Sequence, residues 1–281
     1  MKLKPRRKMT TLPTILLLAA GLVCVWLFGC AMPRITPGPS ISHDALPSAF
    51  LQPTAAIDSG SQTIRNLAAQ VTQGATSDRD KAVAIHDFVR DQIPFGWQES
   101  FYENRASEVL AARIGYCNTK STLFIALLRA AGIPARQHFV DIDARLLRGI
   151  IDPGTPYVDH SFTEVYLEDT WVQTDSYIVD RAMFEAARVQ LAAAGWTIGY
   201  GIHASGTSSW DGTANAFSQF ADDGSSARFT TRDYGVHSDV LTFYRDEEHT
   251  WNALSPPARL FIRFGLSQAN KAVQRLRGGG S

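Results

Sequence analysis

The sequence predicts an α+β domain, because helical patterns come first along the chain and strand patterns follow them. The chain has 281 residues, of which 45% are hydrophobic, and this content supports a real core. Lys plus Arg and Asp plus Glu number 27 each, so no excess of positive charge indicates a nucleic-acid partner.

The helices are predicted from apolar periodicity and from their end signals. A first helix lies in "SQTIRNLAAQVTQGA", and a second in "SDRDKAVAIHDFVRDQI", where Ser77 or Asp78 is the N-cap and Pro94 the stop. A short helix in "ASEVLAARIG" precedes a longer one in "CNTKSTLFIALLRAAG". Gly132 and Pro134 end the longer helix.

Strands are predicted in "ARQHFVDI", "HSFTEVYL" and "WVQTDSYIV", which are rich in β-branched and aromatic residues. Glu168-Asp169 forms a short hairpin loop between the last two. Residues 181–194 return to helix, and "PPARLFIRFGLSQANKAVQRLR" predicts a terminal helix that begins near its two prolines. Residues 195–235 are rich in Gly, Ser, Thr and Asp and receive no assignment.

The N-terminus has the pattern of an export signal. "MKLKPRRK" is basic, and the uncharged apolar run from Leu12 to Phe28 follows it. Gly29 before Cys30 resembles a bacterial lipoprotein signal, in which cleavage before the cysteine leaves it to be lipidated. The alternative is an uncleaved anchor, because a membrane span needs at least about 17 residues. Both interpretations tether the protein to a membrane and place its body outside the cytoplasm, in the cell envelope or periplasm.

The predicted organisation has three parts. Residues 1–30 are the signal or anchor, and residues 31–55 are a Pro-rich linker that spaces the body from the membrane. Residues 56–281 form one domain, with a catalytic core at about 78–180 and a C-terminal extension at about 181–281. The aromatic residues of the extension either complete the core or cover a groove: Trp196, Trp210, Phe217, Phe220, Tyr234 and Tyr244.

Cys117 is the cysteine left in the folded body, since Cys24 lies inside the signal and Cys30 at its end. A leftover cysteine in an exported protein is either a reactive thiol, an intermolecular pairing site, or a buried and inert residue. Cys117 follows Gly115 at the start of a predicted helix, whose dipole favours a thiolate. The amide of Cys117 is also placed to stabilise an oxyanion.

The hairpin brings a histidine close to a carboxylate. A two-residue loop at Glu168-Asp169 sets Phe162 opposite Asp175. His160 lies on the same strand face as Phe162, so Asp175 is its diagonal neighbour. A slip of one residue would put the two side chains on opposite faces. His138 is an alternative base, although the hairpin places no carboxylate beside it.

Two segments carry a family resemblance. "GYCNTKSTLFIALLRAAGIPAR" resembles the nucleophile segment of the transglutaminase-like superfamily, and "DHSFTEVYLEDTWVQTD" resembles its second segment. The resemblance covers about residues 78–180 and implies that Cys117 is the nucleophile, His160 the base and Asp175 its orienting acid. It also implies a papain-like core, in which the nucleophile helix packs on a small antiparallel sheet, with additional C-terminal helices.

The resemblance has departures and one further implication. Ser161 and Phe162 follow the histidine where the family often has Ala and then Trp, which bears on the pocket. Some members use an upstream aromatic residue as a second oxyanion donor, and Trp97 in "FGWQ" is the candidate. The alternative is that Trp97 is a core or pocket residue.

The implied chemistry is attack of a thiolate on a carbonyl to form a thioester. Resolution by water makes a peptidase or amidase, resolution by an amine makes a transglutaminase, and attack at a glycosylated asparagine makes a glycanase. An extracytoplasmic location slightly favours hydrolysis, with a peptide, protein or peptidoglycan-peptide substrate. The alternative is a non-catalytic envelope binding module that keeps the fold. No metal or nucleotide motif is present, so we expect no cofactor.

Overall fold

The computed structural model describes residues 35–220, 232–246 and 256–278. In it, four α-helices precede the first strand of the main sheet along the chain. This order confirms the predicted α+β class. The helices are α1 Gln62–Val71, α2 Asp78–Gln92, α3 Ala106–Ala112, α4 Cys117–Ala130, α5 Arg181–Ala194, α6 Val240–Asp246 and α7 Pro256–Arg277. The strands are β1 Ala135–Asp143, β2 Tyr157–Leu167, β3 Thr170–Thr174, β4 Ile198–Gly199, β5 Ile202–His203 and β6 Asp233–His237.

The main sheet is four-stranded and antiparallel, with the strand order β3-β2-β1-β6. The first three strands are the predicted ones. The sequence did not predict β6, whose residues are exposed or half-buried along one edge of the sheet. Such an edge strand has no alternation of buried and exposed residues, so it leaves no period-2 pattern. β4 and β5 form a separate small hairpin.

Serine side chains cap the starts of the first two helices, and the cap of α2 is one of the two predicted residues. The Ser61 side chain accepts a hydrogen bond from the Ile64 amide at the start of α1. Ser77 is the N-cap of α2, and it forms a capping box with Asp80. Capping satisfies amides that a helix start otherwise leaves without partners.

α4 is the central element of the domain. Its residues from Cys117 to Arg129 are all buried, which is the pattern of a helix enclosed on every side. It packs against α1, α2 and α3 on one side and against β1 and β2 on the other. The Phe124 ring lies 4.3 Å, centroid to centroid, from that of Tyr177. The predicted packing of this helix on an antiparallel sheet is therefore present.

The second part of the predicted linker lies against the domain. The Ile41 amide donates to Ser238 Oγ at 2.6 Å, and Arg245 donates to the Gly38 carbonyl at 2.9 Å. Phe50 is fully buried, with its ring 5.6 Å from that of Trp171. The two hydrogen bonds join side chains to main-chain atoms and the third contact joins two rings, so a Pro-rich composition alone does not reveal them.

The predicted signal or anchor, with Cys24 and Cys30, lies outside the described residues. Within residues 35–220, 232–246 and 256–278, no helix is both long and apolar enough to cross a membrane.

The C-terminal extension completes the hydrophobic core. Ala269, Val273 and Leu276 of α7 are buried in the same cluster as α4. α7 also packs against α5. Of the six aromatic residues singled out in this region, four are buried and two are half-buried. The buried ones are Trp210, Phe217, Phe220 and Tyr244, and the half-buried ones are Trp196 and Tyr234.

We expect Phe124→Ala to lower the free energy of unfolding by about 3–5 kcal/mol, because it leaves a cavity in the centre of the core. Val189→Ala is the matched control, since Val189 is 66% exposed and its truncation should change stability by less than about 0.5 kcal/mol. Denaturant titration measures both values. Equal effects of the two substitutions would contradict the central position of α4.

Candidate active site

Cys117 is the first residue of α4, as predicted. Gly115 precedes it where the chain passes close to the helix: a Cβ there would lie 2.9 Å from both Lys120 Cγ and Thr119 Oγ1. Thr119 Oγ1 accepts a hydrogen bond from the Tyr116 amide at 3.1 Å and thereby caps the turn. The glycine is needed for this close approach, which brings the thiol to a helix N-terminus.

The sulfur of Cys117 lies against strand β2. The backbone amides of Ser161 and Asn118 hydrogen-bond with it, and Ser161 directly follows His160. Cys117 is 9% exposed. The thiol is therefore enclosed between the start of α4 and the strand that carries the predicted base.

His160 and Asp175 form the predicted pair. Leu167 pairs with Thr170 and Thr163 with Thr174, which confirms the two-residue loop and the register. His160 Nε2 lies 3.1 Å from Asp175 Oδ2, and both side chains are buried. Because the ionised carboxylate only accepts, Nε2 carries the proton, and Nδ1 is the ring nitrogen left to accept one.

The C-terminal extension holds the far side of this pair. The Ser218 amide and its hydroxyl both donate to Asp175 Oδ1, the hydroxyl at 3.1 Å. The Phe220 ring meets the His160 ring edge-on, with centroids 5.8 Å apart. The sequence did not predict Ser218, because a loop serine that binds a distant carboxylate follows no periodic pattern.

A polar cluster next to the thiol was also not predicted. Asp159 Oδ2 accepts hydrogen bonds from Tyr244 Oη at 2.7 Å and from Asn118 Nδ2 at 3.2 Å. Asn118 Nδ2 also donates to Tyr244 Oη at 2.9 Å. The only available signal was position, since Asp159 immediately precedes His160 and Asn118 follows Cys117.

The surroundings of Cys117 oppose ionisation of the resting thiol. Burial raises the pKa of Cys117 well above its ordinary value, and the negative charge of Asp159 raises it further. The amides of Ser161 and Asn118 lower it, but they do not offset the first two effects. The helix start predicted to favour a thiolate does not offset the burial of Cys117 and the charge of Asp159.

Trp97 lies beside the residue that precedes the nucleophile. Its ring is 6.3 Å from the ring of Tyr116 and 5.1 Å from that of Phe95, and its side chain is almost fully buried. A cleft of about 490 Å³ opens on its other side, bounded by residues that include Leu266 and Asn270 of α7. The structure places Trp97 near the site, and its role as an oxyanion donor stays a prediction.

His138 is engaged elsewhere and does not compete as the base. Its Nδ1 lies 2.8 Å from Glu164 Oε1 and its Nε2 lies 2.6 Å from Asp233 Oδ1. Burial lowers the pKa of His138, but the hydrogen bonds to Asp233 and Glu164 outweigh burial and raise it. The hairpin placed no carboxylate beside His138, yet β2 and β6 supply two. Both ring nitrogens are therefore used in an ion-pair network within the sheet.

No metal site is evident in the described parts of the chain, where no group of three or more His, Cys, Asp or Glu side chains is placed to hold an ion.

A cysteine at the start of a buried helix, next to a strand whose histidine pairs with an aspartate just past the following strand, is typical of papain-like cysteine enzymes. Residues 65–176 match the family model of the transglutaminase-like superfamily. This match confirms the resemblance of the two segments to that superfamily. The match supports a cysteine-dependent enzyme in general terms.

Two solved structures are similar to parts of the chain. One is a candidate cysteine protease from Cytophaga hutchinsonii, with 24% identity and a TM-score of 0.37 over 44% of this chain and 39% of that one. The other is a candidate protease from Parabacteroides distasonis, with 15% identity and a TM-score of 0.31 over 42% of this chain and 25% of that one. The chain thus spans less than half the length of either. No curated protein matches the chain significantly.

We expect Asp159→Asn to lower the pKa of the Cys117 thiol, because it removes a negative charge that opposes the thiolate and keeps the side chain's shape. The rate of alkylation by iodoacetamide, followed across pH by mass spectrometry, should then rise at a lower pH than in the wild type. The exposed Asp152→Asn variant is the control and should keep the wild-type profile. If Asp159→Asn had the same pH profile as the wild type, the charge of Asp159 would not affect the pKa of Cys117.

Proposed function

We propose that the protein is a cysteine-dependent acyl-transfer enzyme that acts on peptide or amide bonds through a thioester. Cys117 is its nucleophile, His160 its base and Asp175 the group that orients the base. The observation that carries the proposal is the hydrogen bond between His160 and Asp175. His160 lies on β2, and the residue after it, Ser161, donates its backbone amide to the Cys117 sulfur. The support is that the proposed base lies on the strand against which the thiol packs, and that a buried thiol needs a base in order to ionise.

The reaction follows from these positions. Nδ1 of His160 takes the thiol proton, and the thiolate attacks the substrate carbonyl to form a tetrahedral oxyanion. The Cys117 amide at the helix start stabilises this oxyanion, with Trp97 as the second candidate donor. His160 then gives its proton to the leaving amine as the C–N bond breaks. Water attacks the thioester with His160 as base, which releases the acid and restores the thiol.

Hydrolysis is favoured over transfer to an amine, because water is the abundant acceptor in an extracytoplasmic location. The proposed substrates are peptides, proteins or the peptides of peptidoglycan. Asp159 supports a proton-coupled step, since its charge penalises a free thiolate but not a neutral thiol. The site therefore forms its nucleophile during catalysis rather than holding it ionised beforehand.

The second candidate function is a binding module that retains the fold without activity. The observation that favours it is the burial of Cys117, whose thiol stays protonated at rest. The buried His160–Asp175 pair argues for the enzyme, because a buried carboxylate and imidazole are costly and binding alone does not require them.

Incubation with peptide and peptidoglycan-peptide libraries tests the proposal. We expect products that require Cys117 and disappear in Cys117→Ala, and His160→Ala should lower kcat by roughly 10²–10⁴-fold. Mass spectrometry separates hydrolysis from amine transfer: the original amine leaves in both cases, but the acyl group gains the elements of water as a free acid in the first and the acceptor amine in the second. Val189→Ala, on the exposed face of α5, is the folded control. Absence of any Cys117-dependent product would favour the binding module.

The membrane attachment is a separate proposal. We propose that Cys30 is lipidated after signal cleavage, with an uncleaved anchor as the alternative, and that the domain lies in the cell envelope. The support is the order of basic, apolar and small residues before Cys30.

We expect Cys30→Ser to abolish incorporation of labelled fatty acid and to alter gel mobility, because the modified sulfur is gone. Cys24→Ser, inside the apolar run, is the matched control and should still incorporate label. Equal labelling of Cys30→Ser and the wild type would contradict the lipoprotein proposal, and the uncleaved anchor would remain as the alternative.

A further inference from the structure

The C-terminal helix holds the main chain of the candidate oxyanion residue. Asn270 Oδ1 accepts a hydrogen bond from the Trp97 amide at 2.8 Å. Asn270 Nδ2 donates to the Trp97 carbonyl, also at 2.8 Å. One carboxamide thus binds both main-chain groups of Trp97, as a neighbouring strand would. This pairing fixes the plane and direction of the peptide at Trp97.

A second set of contacts to the same segment lies two turns further along α7, at Arg277. Arg277 donates to the Phe95 carbonyl at 3.1 Å and forms an ion pair with Asp180. Asp180 Oδ2 in turn accepts a hydrogen bond from the Phe95 amide at 3.0 Å. The Arg277–Asp180 pair therefore holds both main-chain groups of Phe95. These bonds are charge-assisted and largely shielded from water, so they are stronger than exposed ones.

The opposite edge of the same segment pairs with the residue two positions before the nucleophile. The Gly96 amide donates to the Gly115 carbonyl at 2.9 Å, and the Gly115 amide donates to the Pro94 carbonyl at 3.2 Å. Gly96 lies so close to α7 that an added Cβ would be 2.9 Å from Asn270 Oδ1. Residues 94–97 therefore lie between α7 and the turn that begins α4.

We infer that Asn270, at Trp97, and Arg277, at Phe95, are positioning residues that hold this segment, and through Gly115 the start of α4, in place for acyl transfer. This inference rests on the proposed function, since it gives that site two supports from outside the region matched by the family model. Neither residue touches the reacting atoms. The C-terminal helix is thereby part of the active-site scaffold as well as of the core.

The expected signature is a loss of kcat without loss of thiol reactivity. A misplaced oxyanion donor slows the step that forms the tetrahedral oxyanion, whereas substrate binding depends less on it. Alkylation by iodoacetamide displaces iodide from a saturated carbon and forms no oxyanion, so it reports the thiol alone. A role in folding only would change both rates by the same factor.

The experiment compares Asn270→Ala and Asn270→Asp with Gln274→Ala, an exposed position one turn away on the same helix. We expect Asn270→Ala to lower kcat on the order of 10- to 100-fold, with KM and the alkylation rate near the wild-type values. Asn270→Asp keeps the acceptor for the Trp97 amide and loses the donor to its carbonyl. Its kcat should therefore lie between those of Asn270→Ala and Gln274→Ala. Hydrogen exchange at the Trp97 amide should be faster in Asn270→Ala.

Two results would overturn the inference alone. One is a kcat of Asn270→Ala equal to that of Gln274→Ala, and the other is a parallel fall of kcat and alkylation in Asn270→Ala. A wild-type protein that shows no Cys117-dependent turnover defeats the proposed function, and the positioning role with it. These cases are distinguishable because the last is decided on the wild type and the first two on the variants.

Discussion

The buried start of α4 is the constraint on which the other features of the site depend. A helix N-terminus leaves amides without partners, and burial makes each such amide costly. Thr119 caps the turn, Gly115 lets the chain approach closely, and the segment at residues 94–96 pairs with it. With this turn fixed, Cys117, the first residue of the helix, lies against β2. The nucleophile is placed by main-chain pairing on both sides of a glycine.

That placement has an electrostatic consequence. The same burial that positions the thiol raises the pKa of Cys117, and Asp159 adds to the effect. A thiol that ionises freely would need an exposed or positively charged environment. In the proposed mechanism the proton passes to His160, whose imidazolium would be compensated by the buried carboxylate of Asp175. That step would turn the neutral thiol and imidazole into an ion pair, so the thiolate would not have to exist as a lone charge in the core.

The sequence predicted the parts of this site that repeat along the chain or lie in a short hairpin. α4 follows from its apolar run and its stop at Gly132, and the His160–Asp175 pair follows from a two-residue loop that sets the strand register. The partners of those residues could not be found this way. Ser218 binds Asp175 from a loop without periodicity, and the two carboxylates on His138 come from different strands. Each depends on a single contact between distant parts of the chain.

The same distinction explains the role of the C-terminal extension. Its buried faces could be inferred from composition, but its effect on the site passes through side chains that bind main-chain atoms, as Asn270 does at Trp97. Main-chain atoms are the same at every residue, so such contacts do not require a particular residue type in the segment that is bound. They do place a demand on the helix that supplies the side chain, because Asn270 and Arg277 must lie on one face, two turns apart, while Ala269, Val273 and Leu276 face the core. α7 meets both requirements at once, which couples the packing of the domain to the geometry of the nucleophile.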